Sequence, residues 1–343
     1  MTLRLQALAP LLLLMVSTAW AQPAPGTYHL AKTIPIGGPD RWDYVVFDQA
    51  RDRVYVAHAD TVSVVDAKAG KLVGTIHVGG VTHGIATVPA LGKGYTDDGK
   101  SGFAVVFDLK TLKELRRIKV EPDADGIVYD PASGHILVIT GDSGKVSVID
   151  TKSDKLVATI DGGGGLEFGV LGGNGKFYVD GEEHNEIVRM DLASNTADAH
   201  WPLDGCKTPH GLAIDRAHMR LFASCGNKVM DVVNAGTGAT LATLPIGTGT
   251  DFAVFDPKRG LAFSSNRDGT LSVIAEQAGD HFAPLPSVPT ERGARTMAID
   301  ERTGRLFLAA SDVTVNQAVP PDDRARYKVT PGTAKLLIFD PAH

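Results

Sequence analysis

Apolar and polar residues alternate along this chain in short runs, and the runs recur. VSVVDAKAGKLVGTI (62–76) and VSVIDTKSDKLVATI (146–160) are one element written twice: an alternating strand, a polar turn and a second strand. Alternation with period two buries one face of a strand and turns the other outward or against a neighbouring sheet. A second unit starts with a polar residue, runs through mostly apolar ones and usually ends in Asp. Its copies are DYVVFD at 43, HGIATV at 83, DGIVYD at 125, EFGVLG at 167, HGLAID at 210, DFAVFD at 251 and RTMAID at 295. Successive starts are 40, 42, 42, 43, 41 and 44 residues apart. A period in the forties with β-branched alternation and Gly/Asp turns predicts four short strands per repeat. No long stretch has helical periodicity.

The two ends of the chain predict how the repeats close. The last repeat runs through TMAID, RLFLAA and AKLLIFDP and stops at His343, one strand short. The missing outer strand, which should look like ATLPIG (242–247), stands at the other end as AKTIPIGG (31–38). A strand over 28–38 that completes the last blade closes the ring and removes free sheet edges. The expected fold is therefore all-β: a single seven-bladed β-propeller over 22–343, with residues 22–27 as a loose leader.

The extreme N-terminus reads as an export signal over 1–21. Arg4 gives the positive start, LAPLLLLMVSTA from Leu8 the apolar core, and AWA (19–21) the small-x-small cleavage pattern. The apolar run is short for a bilayer span, and no later segment reaches the required length. The expected mature protein is periplasmic, with no membrane span after cleavage. Oxidising surroundings favour joining Cys206 and Cys225, the only cysteines. Both fall at the top of the fifth blade, before its first strand and at the end of its second. There is no CxxC or CxxCH motif. Formal charge is −6 with both signs interspersed, which gives no general basic face of the kind nucleic-acid binding uses.

Four segments carry a family resemblance: RVYVAH (53–58), KLVGTIHVGG (71–80), GLAFSSNRDGTLSVI (260–274) and GARTMAIDERTGRLFLAA (293–310). With them the chain resembles the YncE-like, YVTN-repeat propellers of bacterial periplasms, over nearly all of its mature length. The resemblance implies a seven-bladed propeller and export. It implies little chemistry, because propellers host many functions.

In a propeller the first strand of each blade lines the central channel, so the seven unit starts form a ring at one mouth: Asp43, His83, Asp125, Glu167, His210, Asp251 and Arg295. Each histidine is flanked by carboxylates in ring order. Carboxylates beside imidazole favour its charged form, and crowded carboxylates raise one another's pKa. A divalent cation would relieve that repulsion. The candidate ligands are His83, His210, Asp43, Asp125, Glu167 and Asp251, a set that suits Zn, Mn, Fe or Cu, or Ca through carboxylates alone. Each of these polar starts also has a structural reading, capping backbone groups between blades.

Loops after each second strand reach the same mouth, bringing His58, Asp97 and Asp98, Asp142, Glu182 to His184, Asn227, Asn266 with Arg267, and Asp312. Blade seven carries a much longer loop over 311–335 with Arg324, Arg326, Tyr327 and Lys328, either a lid or an inert insertion. Asp43, Asp125, Asp251, His58, Arg267 and Arg324 are the candidate ligand-binding residues. Two functions are compatible with this mouth. One is a binding or scaffold propeller for a small molecule, a metal or a periplasmic protein. The other is a metal-assisted or acid–base hydrolase or lyase in the manner of propeller lactonases, in which His83 or His210 acts as general base with Glu167 and Arg295 beside them. An accessory role to a periplasmic quinone-type dehydrogenase rests on fold analogy alone. A ring closed on itself makes monomer the default. GGGG (162–165) precedes no helix and is no phosphate cradle, and Ser264 and Ser265 lack a GxSxG elbow.

Overall fold

The Asp that ends most of the repeated units stands where the first strand of a blade turns into the second. Its side chain accepts a backbone N–H two residues on: Ala50 N to Asp48 Oδ1 at 2.9 Å, Ala132 N to Asp130 at 3.1 Å, Ala217 N to Asp215 at 2.9 Å, Lys258 N to Asp256 at 3.0 Å and Arg302 N to Asp300 at 3.1 Å. These side chains replace backbone partners in a tight turn. The same chemistry closes the third strand of many blades, where Asp66, Asp108, Asp150, Asp191 and Asn234 accept N–H groups of the following turn.

In the computed structural model, residues 27–38, 41–320 and 323–342 are described. The expected signal over 1–21 and most of the leader that follows it lie outside them. The described residues form seven four-stranded antiparallel sheets and one two-stranded ribbon. Blade five is representative, with strands Pro209–Asp215, Arg220–Cys225, Val229–Asn234 and Thr240–Pro245 hydrogen-bonded in that order. The seven sheets form a seven-bladed β-propeller, the first strands side by side around the axis.

Closure follows the sequence expectation. Tyr28–Pro35 pairs antiparallel with Lys335–Pro341, from Tyr28 opposite Pro341 to Pro35 opposite Lys335. The strand ends earlier than the expected 38, although Ile36 N and Gly37 N both still bond Ala334 O, at 2.8 and 3.0 Å.

The core lies between blades. At one register position in each second strand stands a bulky residue: Tyr55, Tyr95, Leu137, Tyr178, Phe222, Phe263 and Phe307, all at most 1% exposed. Phe222 stacks on Phe255 of the next blade at 5.2 Å between ring centroids. Along the channel, Tyr44, Phe168 and Phe252 from blades one, four and six meet with centroids 4.5 to 5.4 Å apart. Each ring directly follows a unit start at the mouth, Asp43, Glu167 or Asp251, so this aromatic cluster lies just beneath it.

Candidate functional site

The two His-Gly pairs owe their glycines to blade spacing. A Cβ on Gly84 would stand 2.3 Å from Asp125 O and 2.5 Å from Ile127 N, both backbone of blade three. A Cβ on Gly211 would stand 2.6 Å from Ala253 N and from Phe252 C of blade six. Each histidine is therefore carried to the mouth on a strand pressed directly against the next one.

His83 is held from below. Its Nδ1–H donates to Asp97 Oδ2 at 2.9 Å, while Asp97 Oδ1 accepts His83 N and Gly84 N, each at 2.8 Å. Nδ1 also lies 3.2 Å from Ala124 O. The other ring nitrogen, Nε2, turns to the mouth and lies 3.3 Å from Arg41 Nη2. Burial pulls the imidazolium down, but the Asp97 and Asp43 carboxylates outweigh it and hold the His83 pKa above its ordinary value.

The basic half of the mouth belongs to blades six, seven and one. Arg295 Nη1 and Arg267 Nη2 each donate to Asp251 at 2.7 Å, one to each carboxylate oxygen. Arg295 Nη2 also donates to Trp42 O and lies 3.9 Å from Asp43 Oδ2. Burial pushes Asp251 up, yet Arg295 and Arg267 overcome it, and the carboxyl is held below its usual range. Asp43 goes the other way: burial and Asp251 outweigh Arg295 and push it up. Arg41 and Arg324 join these groups around a cleft of about 300 Å³, walled by Trp42, Tyr327 and Val313. Arginine outnumbers carboxylate there.

The acidic half belongs to blades three to five. Asp123, Asp125, Asp142, Glu167, Glu182 and Glu183 border a cleft of about 550 Å³. Burial, followed by the charges of Glu167 and Asp43, drives the Asp125 carboxyl well above the ordinary range. Glu167 is raised by burial against the pull of His210. His210 lies 3.9 Å from Glu167 through Nδ1 and 3.8 Å from Glu182 through Nε2, both too long for hydrogen bonds.

The ring read from the repeats is thus divided. Glu167 and His210 are brought together, with Glu182 from the neighbouring loop; Asp251, Arg295 and Arg267 form a second group, with Asp43 at its margin. His83 binds Asp97 and stands apart from His210's cluster. His58 ends the strand Arg53–His58, is 1% exposed and places Nδ1 3.0 Å from Ser63 Oγ. The long loop of blade seven carries a small ribbon, Val313–Val315 with Tyr327–Val329, and Arg324 from its tip lines the basic cleft. Arg326 turns back onto its own loop, bonding Val319 O and Gln317 Oε1. Cys206 and Cys225 form a disulfide with Cα atoms 5.4 Å apart.

Sequence reasoning missed Arg41, which precedes the first repeat start, and Asp180. Asp180 occupies the position in blade four that Asp97 holds in blade two, and that equivalence was the signal available. No family model matches the chain, and neither does any curated protein. No helix among the described residues is long and apolar enough to cross a membrane.

Proposed function

We propose that this is an exported, YncE-like propeller whose channel mouth binds a small organic anion, a carboxylate or a phosphate. The observation that carries the reading is the surplus of guanidinium over carboxylate around the basic cleft. Arg267 and Arg295 are fixed by Asp251, while Arg41 and Arg324 extend the positive charge across the opening. Planar forks held in place by a buried carboxylate suit bidentate recognition of an oxyanion and lose little freedom on binding it. Trp42 and Tyr327 add flat apolar wall. The Cys206–Cys225 disulfide supports an oxidising compartment.

A second reading, acid–base catalysis, is favoured by one contact. Asp97 fixes the Nδ1–H tautomer of His83 and leaves Nε2 facing the mouth, the arrangement of a general base with its orienting carboxylate. In that case the anion site would hold substrate beside His83.

Calorimetric titration of the mature protein with small carboxylates, phosphates and amines of matched size tests the binding reading. Anions are expected to bind, and Arg41→Ala and Arg324→Ala should each weaken them about tenfold, the value of one charge-assisted hydrogen bond. No anion binding, or affinities unchanged in both variants, would overturn it.

A further inference from the structure

Among the described residues, no lysine or arginine pairs with the carboxylates of the acidic half. Glu167, Glu182 and His210 each offer one ligand atom, and these atoms lie within 4.8 Å of one another. His210 Nδ1 is shielded from solvent and makes no hydrogen bond. A second, independent feature lies beside them. Asp180, on the strand Lys176–Gly181, is 0% exposed, and neither of its carboxylate oxygens has a hydrogen-bond partner. Tyr178, on the same face of that strand, packs with Leu212, Leu221 and Ala223 of blade five, so Asp180 also faces blade five, where His210 begins the first strand. Glu167 sits in the bulge of the neighbouring strand directly opposite Asp180, between the pairs Leu166–Gly181 and Gly169–Val179.

In blade two the equivalent Asp97 is fully satisfied by His83 and Gly84. In blade four an orphaned carboxylate sits behind two more. Leaving such a group buried and unpaired is costly, whereas a cation nearby supplies the missing charge.

We propose that Glu167, Glu182 and His210 bind a divalent first-row transition ion, Zn²⁺ or Mn²⁺, with Asp180 as the buried counter-charge behind them. One imidazole and two carboxylates form a donor set for such ions. Ligands about 2.1 Å from a tetrahedral ion stand about 3.4 Å apart; the three donor atoms, one from each residue, lie within 4.8 Å of one another, so side-chain rotations bring them onto one ion. Three protein ligands leave a position open toward the mouth for water or a bound oxyanion. The other His/carboxylate cluster, Asp215, His218 and Glu276, satisfies itself, with His218 Nδ1 2.5 Å from Asp215 Oδ2.

The test uses untagged mature protein, stripped with chelator and titrated with Zn²⁺ and Mn²⁺ alone by calorimetry. One ion should bind per chain at micromolar concentration or below. His210→Ala and Glu182→Gln should each weaken binding at least tenfold, and His218→Ala should leave it unchanged. Glu182 is in a partly exposed loop, so its variant should keep the wild-type melting temperature and report on binding rather than folding. Asp180→Asn should weaken the metal while raising the melting temperature of the metal-free protein. No stoichiometric binding at 1 mM metal, or loss in His218→Ala with His210→Ala unaffected, overturns the proposal. Anion titration of the metal-free protein reports on the arginine cleft separately, so either site can fail without the other.

Discussion

At the scale of single residues, contact geometry decides what each position tolerates. Gly84 and Gly211 meet neighbouring backbone, which cannot rotate aside as a side chain can. Gly84→Ala and Gly211→Ala should each cost about 1–3 kcal/mol by overpacking, read as a lowered denaturation midpoint; variants as stable as the parent would refute the close approach. Arg295 and Asp251 make a buried pair, and Arg295→Ala should cost on the order of 3 kcal/mol. Because the Asp251 carboxyl is depressed in the fold, its contribution is complete above about pH 4, the unfolded value, and disappears as pH falls through the folded one. Stability curves between pH 2 and 6 should therefore lose part of their acid slope in Arg295→Ala. His83 has the opposite sign. Its raised pKa adds stability that is full below about pH 6.5 and is lost as pH climbs through the folded value. The repeat start made His83 and His210 visible in the sequence. Asp180 stayed hidden because in blade four the loop candidates begin at Glu182, two residues past the position that Asp97 holds in blade two.

At the scale of elements, repeat spacing revealed nearly the whole architecture, because each blade repeats the same turn chemistry and the same bulky inter-blade residue. Phe222, stacked on Phe255, stands for that residue, and Phe222→Ala should cost about 3–5 kcal/mol in a denaturant titration. The closing strand is the second test. A chain starting at Gly38 would leave Lys335–Pro341 as an exposed edge, and it should associate in light scattering; a monomer melting like the full chain would contradict the closure. The Cys206–Cys225 bridge spans 19 residues, and replacing both cysteines with Ala should cost about 3 kcal/mol. The loop over 311–335 was legible only as an anomaly of length. Its ribbon depends on pairing between Val313–Val315 and Tyr327–Val329, two short runs too far apart for local periodicity to link.

At the scale of the whole molecule, the mouth is bipolar. From the sequence the strand starts made one acidic ring with a single arginine. The loops after the second strands already brought Arg267, Arg324, Glu182 and Glu183 to the same mouth; the fold adds Arg41 and sorts the arginines to one side and the glutamates to the other, which repeat alignment alone does not do. The opposite end of the propeller offers a competing cleft of about 490 Å³ containing Lys32, Lys68, Arg302 and Arg305. There Asp300 and Asp340 hold the arginines in ion pairs at 3.1 and 2.6 Å. A crystal structure of the mature protein with its tightest-binding small anion separates the two ends most directly. The account predicts the anion within hydrogen-bond reach of Arg41, Arg295 or Arg324; an anion seated instead between Lys68 and Arg302 would contradict it.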